Sequence, residues 1–174
     1  MSIITPISGP HTHTRRSVAS TMHHVQLALL PVTAFSVYLF GWPALFLLLI
    51  TIFAAWLSEL FCLWLAGKPI GPYATDGSAV LTGWLLALSL PPWAPWWIAV
   101  LGAVIAVIIG KHIFGGLGQN LFNPAMLARV ALLISFPLEM TTWANPAPFG
   151  SPTSPGLNGV AQSKRFLPDA PMKH

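Results

Sequence analysis

Apolar positions gather into five stretches separated by short polar seams, with a polar start and a polar end. The first stretch covers about residues 22–40 and carries Leu27, Leu29, Leu30, Val32, Phe35 and Val37, with Pro31 inside it. A proline there should kink the helix, which a membrane tolerates when neighbouring groups satisfy the freed carbonyl. Gly41-Trp42-Pro43 predicts a tight turn, with Pro43 suited to the first position of the next helix. The second stretch, about 44–65, is long enough to cross ~30 Å of hydrocarbon at ~1.5 Å per residue.

The third stretch opens at Asp76-Gly77-Ser78 and stops at Pro91-Pro92, and the fifth opens at Asn123-Pro124 and stops at Pro137. Each offers about 13 residues, near ~20 Å of helix, which falls short of a crossing. Asn123 suits an N-cap with Pro124 at the first helical position, and Asp76 suits a capping role on the third helix. The fourth stretch runs from about 96 to 109 and ends at Gly110-Lys111-His112. Trp93, Trp96 and Trp97, set around Pro92 and Pro95, predict an aromatic belt at the membrane–water interface. The pattern as a whole predicts an all-α membrane protein of about five hydrophobic helices, two of them half-length. Residues 1–21 form a polar amino-terminal segment, 22–143 the transmembrane domain, and 144–174 a Pro/Gly-rich extracytoplasmic loop or disordered tail without apolar periodicity.

Composition narrows the class. Of 174 residues 55% are hydrophobic and 7% charged, against about a quarter charged in ordinary soluble domains. The mean hydropathy is +0.70. No basic stripe with interleaved aromatics is present, which argues against nucleic acid as a partner and leaves the lipid bilayer. The single cysteine, Cys62, excludes an intrachain disulfide and a cysteine metal site. The first stretch is too long for a signal-peptide core and lacks a small-residue cleavage signature, so it is expected to be retained. Arg15-Arg16 precede the first stretch, Lys68 follows the second and Lys111 the fourth, whereas 41–43 and 91–95 carry no charge. The positive-inside rule then puts the amino terminus and the 66–77 and 110–123 connections in the cytoplasm.

Candidate chemistry sits where the apolar pattern breaks. Phe114-Gly115-Gly116-Leu117-Gly118-Gln119-Asn120-Leu121-Phe122-Asn123-Pro124-Ala125 is a glycine- and asparagine-rich seam between two strongly apolar stretches. Irregular backbone at membrane depth survives only when buried in protein or lining a cavity, so Gly115, Gly116, Gly118, Asn120 and Asn123 are candidate binding residues. Short apolar segments mark binding regions in transporters, and helix N-termini suit a phosphate or carboxylate. That logic adds Asp76, Ser78 and Thr82 at the entrance of the third helix and Arg129 in the fifth. Arg129 has three readings: a partner for an anionic ligand, a partner for Glu59, or a snorkelling side chain. Glu59, inside the second stretch, needs a partner or an aqueous path, with Lys68 or Arg129 as possible partners; its functional reading is a station on an ion path. His11, His13, His23 and His24 read as surface residues rather than metal ligands. No zinc motif, P-loop, dinucleotide fingerprint or Ser-His-Asp order is found, so no catalytic residue is assigned.

Three blocks carry a family resemblance. They are Ser8-Gly9-Pro10-His11-Thr12-His13, then Asp76 through Leu88 with Pro91-Pro92-Trp93-Ala94-Pro95-Trp96-Trp97, then Gly110-Lys111 and Phe114 through Met126 with Leu132-Leu133-Ile134-Ser135-Phe136-Pro137. Over about residues 8–143 the chain resembles the NqrB/RnfD family, membrane subunits of ion-translocating electron transport complexes of the Rnf type. The resemblance implies a multi-pass protein of the bacterial inner membrane, working with other Rnf complex subunits. It also implies flavin-dependent electron transfer between ferredoxin and NAD, coupled to Na+ or H+ transport. Family members hold FMN covalently on a Thr in a Ser-x-Ala-Thr-like motif beyond the fifth span. Ser151-Pro152-Thr153-Ser154-Pro155 does not match it, so Thr153 receives no acceptor role. A riboflavin-type flavin at the Gly/Asn seam is the other cofactor expectation, with Asn120 and Asn123 serving its carbonyl and imide edge. The family also has a second membrane half, so the chain is expected to be a truncated form or fragment. Two other classes fit the same pattern: a small-solute channel or carrier, and a structural membrane subunit without cofactor.

Overall fold

A computed structural model describes residues 18–67, 71, 76–116 and 119–143. The readings made for Arg15-Arg16, His11, His13, Lys68, Gly118, Thr153 and the 144–174 tail lie outside these described residues. Helix α1 spans Val18–Phe40 and contains Pro31; α2 spans Trp42–Leu65 with Pro43 in its first turn. Helix α3 spans Ser78–Ser89, and α4 spans Trp96–Val104 and runs on without a break into a π-helical segment, Ile105–His112. Helix α5 spans Pro124–Ser135, and a single turn, α6, spans Pro137–Thr141. Among the described residues all regular structure is helical.

At Gly41 and Asn123 the local chemistry of the helix ends agrees with the sequence. Gly41 takes φ 70° between α1 and α2, a left-handed conformation that a side chain would resist. Asn123 Oδ1 accepts from the Ala125 amide at 3.0 Å, closing the start of α5. Asp76, expected to cap α3, stands one residue too early for it: Gly77 holds the N-cap position at φ 77°, and Asp76 Oδ1 accepts from the Ser78 amide at 2.8 Å across it. Three boundaries differ from expectation, the first being the start of α1, which begins at Val18 inside the segment expected to be polar up to residue 21. The fourth helix does not stop at Ile109, because wider turns carry it to His112, with Ile113 N donating to Ile108 O and Gly116 N to Lys111 O. Past Pro137, where the fifth stretch was expected to end, the chain makes one more turn that buries Met140.

Helix α2 is the centre of the bundle and packs against α3, α4 and the π segment. Small residues let the backbones approach, the usual means of helix association in lipid. A Cβ on Gly83 of α3 would lie 2.9 Å from Ala55 Cβ and 3.0 Å from Ile52 Cα of α2. One buried cluster joins Leu47, Leu86, Ile98, Ala106, Ala128 and Leu132; a second joins Ala54, Ala55, Ala103 and Val107. Helix α1 lies at the edge, where Trp84 Nε1 donates to Thr33 Oγ1 at 2.7 Å and Gln26 Nε2 to the Gly77 carbonyl at 2.8 Å. Outward faces are apolar: Leu27, Val32 and Phe35 on α1, and Leu49, Phe53 and Phe61 on α2. A surface this oily suits lipid or protein rather than water. Trp96 and Trp97 are exposed at the start of α4, and Trp97 stacks edge-on against Phe136 at 5.1 Å.

Candidate functional site

Residues Thr51, Ala55, Glu59 and Leu63 follow one another at four-residue spacing along α2, and all are buried. That spacing keeps them on one helix face, so the register that buries Ala55 carries Glu59 into the bundle as well. Its carboxylate has two partners from the π segment. Lys111 Nζ donates to Glu59 Oε1 at 2.8 Å, and His112 Nε2 lies 3.0 Å from Glu59 Oε2. Neighbours in sequence normally diverge around a helix; here adjacent residues meet one carboxylate at the end of a π segment, a geometry often found at functional positions. The side chains of Glu59 and Lys111 are 2% and 4% exposed, and that of His112 is 18% exposed.

The cluster extends to the start of α3. Lys111 Nζ also donates to Ser78 Oγ at 2.6 Å, and Ser78 Oγ donates to Asp76 Oδ1 at 2.7 Å. The contacts run in the order Asp76, Ser78, Lys111, Glu59 and His112, with the most buried pair, Lys111 and Glu59, flanked by the more exposed His112 at one end. The same end of the π segment abuts α5, because a Cβ on Gly110 would fall 2.8 Å from Pro124 Cα. Both half-length helices therefore begin beside Lys111. Among the described residues every buried side-chain nitrogen and oxygen has a hydrogen-bond partner. Pairing matters, because a single ionised residue at mid-helix costs ~2.5–3.5 kcal/mol on insertion scales.

The sequence-derived residues separate into two places. Glu59, Asp76 and Ser78 meet in the cluster, while Thr82 sits a turn further along α3 and bonds its own helix at Ser78 O. Arg129 is not a partner of Glu59; its Nη1 donates to the Ser89 carbonyl and seals the end of α3. The seam continues from the end of the π segment, with Gly115 N donating to His112 O and Gly116 N to Lys111 O. Gly115 and Gly116 take φ 106° and 104°, and nothing lies within 4 Å of a Cβ on Gly116. Asn120 Nδ2 donates to the Phe122 carbonyl at 3.0 Å, and Asn123 is occupied as the α5 cap. Leu121 and Phe122 point outward. Sequence reasoning missed Lys111 and His112 as site residues, treating Lys111 as a loop charge. The available signal was the lone acid of the second stretch, which needed a buried cation somewhere in the fold.

Such a fold and site define an all-α membrane protein with an ion-pair cluster sealed between its helices. The chain belongs to the NQR2, RnfD, RnfE family, whose profile matches residues 5–171. It is similar to three proteins each named as the D-subunit of an ion-translocating oxidoreductase complex. The relative from Rhodobacter capsulatus is 58% identical over 81% of this chain and 39% of its own length. That from Halorhodospira halophila is 57% identical over 87% and 42%, and that from Stutzerimonas stutzeri 62% identical over 84% and 41%. The chain thus spans about two fifths of the length of these curated relatives.

Proposed function

We propose that this chain is a membrane subunit, or part of one, of an Rnf-type ion-translocating oxidoreductase. It works with other complex subunits in the bacterial inner membrane, its amino terminus in the cytoplasm. Electron transfer between ferredoxin and NAD is coupled there to Na+ or H+ movement. The observation that carries this reading is the Glu59–Lys111–His112 cluster, in a chain whose relatives bear an ion-translocating name. Apolar residues of similar volume would hold helices together as well or better, so a buried charge set in lipid points to a task other than packing.

Flavin is part of the proposal. The described feature that suits a flat ring is the open main chain at Gly116; Asn120 and Asn123 each already spend one amide end locally. A bound flavin would take up and pass on electrons, and the chain's own residues would position it and hold water away. Asp76, Ser78, Thr82 and Arg129 serve α3 and its contacts in the structure and are not assigned to the ring.

The test is reconstitution of the complex in liposomes with wild-type or Glu59→Gln chain. Ion uptake should fall well below that of wild type while NAD–ferredoxin electron transfer persists. Unchanged coupling would defeat the assignment. Flavin fluorescence before and after acid precipitation tests the cofactor: fluorescence released to the supernatant supports a non-covalent flavin, and its absence from both fractions removes flavin from this chain.

A further inference from the structure

We infer that the oxygen pocket around the Lys111 ammonium is a monovalent-cation site, and that Lys111 fills it as a tethered cation which a free alkali ion can replace. The inference rests on the proposed ion-translocating role only for its purpose; the site itself follows from geometry. Lys111 Nζ makes hydrogen bonds to Glu59 Oε1 at 2.8 Å and Ser78 Oγ at 2.6 Å, with the Asp76 carboxylate one bond further out. Oxygen donors from a carboxylate and a hydroxyl are what a hard cation takes. A lysine head is itself a compact point charge with donors and no acceptor, so it satisfies the same oxygens a metal cation would.

Two further observations separate this pocket from an ordinary ion pair. Lys111 is 3% exposed and Glu59 2% exposed, so neither is a solvated surface charge. The lysine also rides on a π-helical segment, Ile105–His112, a turn type that is rare and recurs at functional sites. Return of that segment to α register rotates Lys111 and His112 away from Glu59, which leaves a carboxylate and the Ser78 hydroxyl facing an empty place. A cation entering there neutralises Glu59 as the ammonium did.

Thermal unfolding of the 174-residue chain in lipid nanodiscs tests this, comparing wild type and Lys111→Met in choline chloride, LiCl, NaCl and KCl. Lys111→Met should melt early in choline and recover by about 5 °C or more, saturably, in at least one alkali salt. Wild type should shift far less at the same concentration, and adding Glu59→Gln to Lys111→Met should abolish the recovery. The inference is overturned if Lys111→Met melts alike in choline and every alkali salt, if it stays unfolded in all of them, or if wild type responds as strongly as the variant. Because the readout is cation binding without redox partners, a negative result leaves ion-coupled electron transfer standing. Loss of coupling in the assembled complex would likewise leave the site intact.

Discussion

Lys111 Nζ stands 2.8 Å from Glu59 Oε1 across a separation of fifty-two residues, and both side chains are almost wholly removed from solvent. Two charges in such a place depend on each other. Removing either one should cost about 3–5 kcal/mol, because the survivor stays buried with only a weaker contact, His112 for Glu59 and the Ser78 hydroxyl for Lys111. Glu59→Met and Lys111→Met, measured by denaturant unfolding in choline chloride, should each show that loss. The double variant should recover more than half of it. A double variant whose loss equals the sum of the singles would mean that the pair contributes no coupling.

Gly83 sets the distance between α3 and α2. Its absent side chain would meet Ala55 Cβ at 2.9 Å and backbone atoms of Thr51 and Ile52 at 3.0–3.1 Å. Gly83→Ala should lower stability by about 1–3 kcal/mol through overpacking. Combining it with Ala55→Gly should return part of that loss but not all, since the backbone contacts remain. Unfolding curves of the two variants decide the matter.

Helix α1 has few inward contacts, so its hydrogen bonds to α3 carry unusual weight. Trp84→Phe keeps most of the ring and deletes the bond to Thr33 Oγ1. Membrane hydrogen bonds average ~0.6 kcal/mol and reach ~1.7, which brackets the expected loss. Proteolysis within α1 should rise in parallel, and an unchanged cleavage rate would show that α1 is held by lipid alone.

The fold makes a definite topology. In a Cys62→Ser background, Gly67→Cys and Gly116→Cys should react with an impermeant thiol reagent from one side. Trp42→Cys and Thr142→Cys, exposed at the other ends of the helices, should react from the opposite side. Labelling of all four from a single face would rule out this arrangement of spans.

The seam gives an activity prediction separate from the buried pair. Gly116 has open space but a φ of 104°, so Gly116→Val strains the main chain by about 1–3 kcal/mol without a packing clash. Asn120→Leu removes the bond to Phe122 O. Both should depress activity of the assembled complex more than Val104→Leu does, measured as coupled electron transfer. Equal effects would take the seam out of the functional site.

The sequence was readable where one residue type has one local use. Gly41 with Pro43 and Asn123 before Pro124 stand where their backbone chemistry placed them. The cluster was not readable, because its geometry depends on a break in periodicity. A helical period of 3.6 ends the fourth stretch near Ile109 and sends Lys111 into a loop, whereas the π turns bring it inward. Arg129 shows the complementary failure: a cation in an apolar helix invites a charged partner, and here the unpaired carbonyl at the end of α3 takes it. Charge balance alone points to some cation for Glu59; only tertiary packing selects which one.

Helix α5 is 12 residues long, so it rises about 18 Å, while Met126, Val130, Leu133 and Ile134 face outward from it. Acyl chains resting on that face meet a column far shallower than the ~30 Å slab around them, and they must compress or yield to protein. Bilayer thickness thereby becomes a control on the molecule: short-chain lipids should ease its insertion, and long-chain lipids should drive it to cover α5 with a neighbour.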